Sequence, residues 1–308
     1  MRGRKQWTTL LCAVSAALAF MTVAPLGGAW TPPRTPWGDP DLQGVWNYAT
    51  MTLLERPRDL AGKEVLSEQE AAAYERQTLE RQSTTNNTAG PDWWDPGTRR
   101  LTNRRTSLIT TPASGRIPPL TSESRARAAA RAEAARSRGG LSDGPEDLGL
   151  NVRCLNWSTA GPPMLPGVYN NNVQFVQTPT DIVIVNEMIH DARIVPMDGR
   201  PHGAVRRWLG DSRGRWDGAA LVVDTIGFTD KTGFRGADEK LHLVERFTRV
   251  DADTIEYQFT ADDPTVWTEA WTASFPMHRT SERMYEYACH EGNARSMEGI
   301  LRASLVSR

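Results

Sequence analysis

The densest group of chemistry-bearing side chains in this chain is Glu187-Met-Ile-His190-Asp191-Ala-Arg193. It follows Ile182-Val183-Ile184-Val185, a run that is apolar on both faces, so it stands at the end of a buried strand or on its continuation. On an uninterrupted strand Glu187, Asp191 and Arg193 share one face and His190 takes the other. A turn at His190–Asp191 would gather imidazole, carboxylate and guanidinium. Such a set can move a proton, with His190 as base, a carboxylate to orient it and Arg193 to hold an oxyanion. The same residue types also build a structural ion-pair network with a histidine beside it, and the spacing leaves both readings open.

Two more carboxylates fall on apolar faces. Leu243, Glu245 and Phe247 share one face of a strand expected over Leu241–Val250. Glu269, Trp271, Ala273 and Phe275 share one over Thr268–Phe275. A buried carboxylate needs a partner or a raised pKa, so Glu245 and Glu269 are either paired structural groups or assisting acids and bases. The alternative is a position near a strand end, in water. The aromatic residues Trp208, Trp216, Tyr257, Trp271 and Tyr285 are the candidate pocket lining, with His290 beside them, although a packed core would also use most of them. All five histidines lie between His190 and His290, but none forms a His-x-His or His-x-x-x-His pair, so no metal is expected. No cofactor is implied. Gly-x-Ser-x-Gly, the P-loop and the Gly-rich dinucleotide fingerprint are all absent.

The elements that position these residues read as a first strand, a helical and irregular stretch over 30–150, and an antiparallel β region over 151–308. Leu42–Trp46 begins a strand. Ser67-Glu-Gln-Glu70 is a capping box opening a helix from Glu68 to about Gln82. Trp93-Trp94 lies in a polar stretch that follows. Thr106–Thr111 is expected as a strand and the Ala/Arg-rich run Ser122–Arg138 as a solvated helix. From Val173 the period becomes two. Strands are expected at Val173–Gln177, Asp181–Glu187, Ala192–Val195, Ala204–Leu209, Ala219–Thr225, Leu241–Val250, Thr254–Thr260, Thr268–Phe275 and Met284–Cys289, with Asp211-Ser-Arg-Gly214 as a turn. This spacing points to an antiparallel barrel or sandwich.

Arg2, Arg4 and Lys5, the apolar stretch from Leu10 to about Leu26, and Gly27-Gly-Ala29 have the layout of a signal peptide cut before Trp30. Leu11 before Cys12 argues against a lipoprotein. Removing residues 1–29 moves the formal charge of the 308-residue chain from −1 to −4, with no basic field for nucleic acid and no transmembrane segment left. Export to the periplasm or beyond leaves two cysteines, Cys154 and Cys289, which allow one disulfide; two separate thiols are the alternative.

Gly44-x-Trp46 resembles the Gly-x-Trp signature of lipocalin-like (calycin) barrels. The resemblance implies that Trp46 closes one end of a barrel beneath a basic residue from a late strand. The long insert after the first strand departs from that pattern. The whole chain also resembles a family of exported bacterial proteins. It does so through Leu54-Glu-Arg-Pro57, Gly161-Pro-Pro-Met-Leu-Pro166, Glu187–Arg193, Trp208–Trp216 and Tyr287–Asn293. That resemblance carries no activity with it. The functional expectation is therefore an exported barrel enzyme doing acid/base chemistry on a small, partly apolar or amphipathic molecule, as an isomerase, lyase or hydrolase. The alternatives are a carrier for an apolar ligand and an envelope interaction module.

Overall fold

Alternation along the late strands decides the architecture. In β8 (His242–Arg249), Leu243, Glu245, Phe247 and Arg249 are buried and the residues between them are not. In β9 (Thr254–Asp262), Ile255, Tyr257, Phe259 and Ala261 repeat the pattern. The connecting turn is closed by the Val250 N–H donating to Thr254 O at 3.0 Å. A sheet with one wholly buried face must close on itself or on a second layer, and this one curls.

The computed structural model describes residues 30–84, 97–137, 144–231 and 234–306. The expected signal peptide, Cys12 and Trp93-Trp94 lie outside the described residues. The chain divides into Met1–Thr31 and Pro32–Arg308, and every element below belongs to the second unit. The remaining strands are β1 (Gly44–Asn47), β2 (Ile109–Thr111), β3 (Asn172–Gln177), β4 (Asp181–Asn186), β5 (Ala192–Pro196), β6 (Asp211–Asp217), β7 (Ala220–Ile226) and β10 (Trp271–Arg279). All pairings are antiparallel, in the order β5-β4-β3-β1-β10-β9-β8-β7-β6, with β2 added to β10. The result is a mainly β, nearly closed, lipocalin-like barrel of nine strands. The edge strands β5 and β6 face each other without a ladder. Gly214 sits at that seam, where a Cβ would come within 2.3 Å of Met197 Sδ, so the glycine leaves room for Met197 to fill the gap.

Trp46 is fully buried beneath two cations, with Arg279 Cζ 4.6 Å and Arg249 Cζ 5.4 Å from the ring centre. Its Nε1–H donates to Leu42 O at 2.9 Å. Gly44 has φ +125, and a Cβ there would lie 2.8 Å from Arg279 Nη1. The glycine is therefore required twice, by its backbone and by the guanidinium that covers Trp46.

The barrel interior is filled. Phe175, Phe247, Tyr257, Phe275, Phe259, Trp271 and Trp267 form a chain of ring contacts with centroids 4.8–5.9 Å apart. The segment Ala160–Leu165 is buried with them, and the Met164 N–H donates to Tyr257 Oη at 3.1 Å.

Three helices complete the chain. α1 (Glu68–Thr84) opens on the expected capping box, Ser67 N–H to Glu70 Oε2 at 2.9 Å and Glu70 N–H to Ser67 Oγ at 3.3 Å. α2 (Ser122–Ser137) buries only Ser124, as expected of a solvated helix. α3 (Cys289–Val306) follows the barrel. Among the described residues no helix is long and apolar enough to cross a membrane.

Several expected elements are corrected. Asp211–Gly214 is not a turn but the start of β6, where the polar side chains are buried yet satisfied: Asp211 accepts from the Gly203 N–H and Arg213, and Ser212 Oγ pairs with Thr225 Oγ1 at 2.9 Å. Ala204–Leu209 is an irregular segment with a single bridge, Arg207 to Phe228. Met284–Cys289 is not a strand. Both edges of β10 are already taken, by β9 and by β1 with β2, so the chain leaves the sheet and turns into α3. β10 starts at Trp271 rather than Thr268, because Asp263 anchors a preceding turn by accepting from Thr265 N–H at 3.0 Å and Thr265 O–H at 2.7 Å.

Candidate functional site

The group Glu187–Arg193 does not converge. A 3₁₀ turn at Met188–His190 joins β4 to β5, and Ile189 and His190 there have φ +60 and +48. Left-handed backbone at a β-branched residue is strained, and the burial of Met188 and Ile189 holds it in place. The turn breaks the strand parity and sends the polar side chains to different places.

Arg193 points into the barrel and grips Glu245, which is 0% exposed. The pair is a fork: Nη1 meets Oε2, and Nη2 donates to Oε1 at 3.0 Å. Tyr257 O–H donates to the same Oε1 at 2.8 Å and accepts from the Met164 amide. Burial works against charge on Arg193, but Glu245 outweighs it and raises the arginine further. Burial, then Glu245, pushes the Tyr257 phenol well above its ordinary value. The network is closed and electrically neutral, and every member is engaged by another.

Glu187 is buried at the turn. Its Oε1 accepts from the Tyr285 N–H at 3.0 Å, and desolvation raises its pKa despite that bond. Tyr48 is raised by burial and then by the nearby Glu187. His190 is exposed, its Nδ1 3.3 Å from Tyr287 O. Asp191 is half-buried, and its Oδ2 has no hydrogen-bond partner among the described residues. Desolvation lifts its pKa from 3.8 to about 6, against the pull of His190. An acid raised on folding leaves stability unchanged below its unfolded pKa and costs stability once it ionises. Wild-type stability should therefore fall, relative to Asp191→Asn, as pH rises from about 4 through about 6. Thermal melts across that range would show the gap opening in the variant's favour. Parallel curves would refute the burial of a titrating carboxyl there.

The other expected site residues scatter. Glu269 is exposed in the connection before β10 and is not on the inward face, because the Asp263 turn displaces the start of the strand. Trp271 and Tyr257 belong to the packed core. Trp216 is half-buried on β6 against that core, and Trp208 is half-buried in the irregular segment before it. Tyr285 is 71% exposed, and His290 is exposed in the first turn of α3. Cys154 and Cys289 are bonded to each other.

Two arrangements escaped the sequence. On the outer face of β7, Asp224 bridges two imidazoles, with Oδ1 2.9 Å from His202 Nε2 and Oδ2 2.9 Å from His242 Nε2. Asp211 lies 3.4 Å from the other side of His202. Asp211 also accepts from Gly203 N–H and Arg213, which outweigh its burial and hold it below the usual carboxylate range. Among the described residues, no group of three or more metal-ligating side chains is placed to hold an ion.

The second is a cleft of about 820 Å³ between α1 and the loops at residues 50–54, 158–168 and 234–235. α1 supplies Tyr74, Gln77, Thr78 and Arg81, a polar stripe at i, i+3, i+4 and i+7. Met51, Leu53, Leu54, Leu165, Val168 and Phe234 supply an apolar lining. The helical stripe was visible as a period, but a polar stripe on a helix ordinarily faces water. Only the loops opposite it turn it into a wall. Comparison with protein-family models and with curated proteins returns no match for this chain.

Proposed function

We propose that the protein is an exported binding barrel for a small amphipathic molecule, held in the cleft against α1 and not inside the barrel. The observation that carries this reading is the two-sided lining of that cleft. Its volume of about 820 Å³ falls within the ~300–1,000 Å³ usual for small-molecule sites. The polar helix stripe suits a hydrogen-bonding end of a ligand, and the leucine, valine and phenylalanine lining suits an apolar body. Acid/base catalysis by the Glu187–Arg193 group is less well supported. Arg193 and Glu245 neutralise each other, Glu187 holds the Tyr285 amide and Glu269 lies apart. Export is supported by the basic and apolar composition of the N-terminal residues together with the disulfide, a bond at home in oxidising compartments.

Titration with N-phenyl-1-naphthylamine, a neutral amphipathic fluorophore, tests the site. Leu53 and Val168 line the cleft while 54% and 43% exposed, so arginine at either should block it without disturbing the core. Wild type should enhance the dye's emission saturably, and Leu53→Arg and Val168→Arg should each weaken binding by about tenfold or more. Ile194→Arg, on the exposed outer face of β5, should not. Equal binding by all four proteins, or none by wild type, would defeat the proposal.

A further inference from the structure

A second concavity, of about 500 Å³, lies beside the cleft and shares only Pro57 with it. Its charged lining is Arg56, Arg58, Arg116 and Glu64. Arg56 is only 5% exposed, yet the acceptors around it are neutral. Nε donates to Thr106 Oγ1 at 2.9 Å and Nη1 to Ala113 O at 3.0 Å. Among the described residues no carboxylate pairs with Arg56, and its Nη2 has no hydrogen-bond partner. Gly115, at φ +66, gives Nη2 its space, since a Cβ there would lie 2.9 Å away. Arg58 has no ion pair among the described residues. Arg116 donates to Arg56 O at 2.8 Å and stands 3.7 Å from Glu55. A guanidinium this deeply buried without a counter-charge is costly, and an anion on its open edge removes that cost.

We infer that this concavity binds a phosphate- or sulfate-type oxyanion. Arg56, the buried arginine of the lining, offers a guanidinium with no carboxylate partner among the described residues, and Arg58 and Arg116 add charge. Glu64 is the one carboxylate of the lining and disfavours crowding by a larger polyanion. Pro57, Ala61 and Ala113 supply apolar walls that limit hydration of the bound group.

Calorimetric titration of the full chain with inorganic phosphate, at constant ionic strength made up with chloride, reads this site. Wild type should bind phosphate saturably, with a rise in Tm that chloride does not reproduce. Arg58→Glu should weaken binding by about tenfold or more while leaving the Tm in chloride unchanged, because Arg58 is exposed and unpaired. Arg56→Lys keeps the charge but loses the fork, and should also bind more weakly. Glycerol phosphate, titrated in parallel, separates the sources: equal binding means that the phosphate of a larger molecule enters, and binding of phosphate alone means a free anion. Phosphate heats no larger than those of chloride, or an unchanged affinity in Arg58→Glu, would overturn the inference. Arg58→Glu should keep its affinity for N-phenyl-1-naphthylamine, so failure here and failure of the cleft proposal are distinguishable.

Discussion

Glu245→Ala should destabilise the protein by about 3–5 kcal/mol, the largest effect expected of any single substitution in the barrel. The carboxylate is wholly inaccessible to water and forks onto Arg193, which is nearly as buried. Removing it strands the buried Arg193 guanidinium without its counter-charge and also leaves Tyr257 O–H without its acceptor. Against a total stability of roughly 5–15 kcal/mol, the loss threatens folding itself. Replacing both partners, as in Arg193→Met with Glu245→Leu, should recover most of the loss, because hydrophobic isosteres of a buried pair are often neutral or stabilising. Urea unfolding followed by tryptophan fluorescence and circular dichroism measures both variants. A Glu245→Ala midpoint close to wild type would mean that Arg193 reaches water, and would remove the argument that the barrel centre is a closed structural network.

Breaking the Cys154–Cys289 bond comes next. The two cysteines are 135 residues apart, and the chain between them holds β3 to β10, eight of the nine barrel strands. Cross-linking a loop of that length restricts the unfolded chain by about 4–5 kcal/mol in the chain-entropy treatment. The folded state also depends on the bond locally. It ties the irregular segment before β3 to the first turn of α3, beside the contacts of Trp157, Tyr169 and Tyr287. Full reduction, or Cys154→Ser with Cys289→Ser, should therefore lower the melting temperature markedly and free the tail from the β4–β5 turn. Thermal melts with and without reductant, with thiol alkylation to prove the bond open, give the answer. An unchanged melting temperature in the fully alkylated protein would show that the cross-link does not constrain the unfolded chain.

Much of the scaffold was legible because it depends on local rules. The capping box at Ser67–Glu70 opens α1 where the spacing says it should. Period-two alternation places Glu245, Tyr257 and Trp271 on inward faces. Gly44 and Trp46, two apart on one strand, fall on the same side, where a glycine admits the guanidinium that covers the indole. The failures share a cause. Asp211–Gly214 looks like a turn because its residues are polar, and only its place at the edge of the sheet makes it β6. Met284–Cys289 has strand-like residues, but β10, the strand it follows, is already paired on both sides, by β9 and by β1 with β2.

The candidate sites were much less legible. A cluster in sequence, Glu187–Arg193, was pulled apart by a single left-handed turn that sent Arg193 inward and left Asp191 half-buried, with no partner for Oδ2 among the described residues. Residues distant in sequence were brought together instead: α1 with Leu53, Val168 and Phe234, and the neighbours Arg56 and Arg58 with Arg116. By itself, the amino-acid sequence determined the period of each strand, the caps of the first helix and the number of cysteines available to pair. Those features depend on neighbours within a few positions along the chain. The tertiary structure alone decided which aromatic rings are buried together in the barrel, that its central charges cancel and that a cleft opens against α1. Packing, charge neutralisation and cavity shape depend on which surfaces meet, and that is set by the whole chain at once.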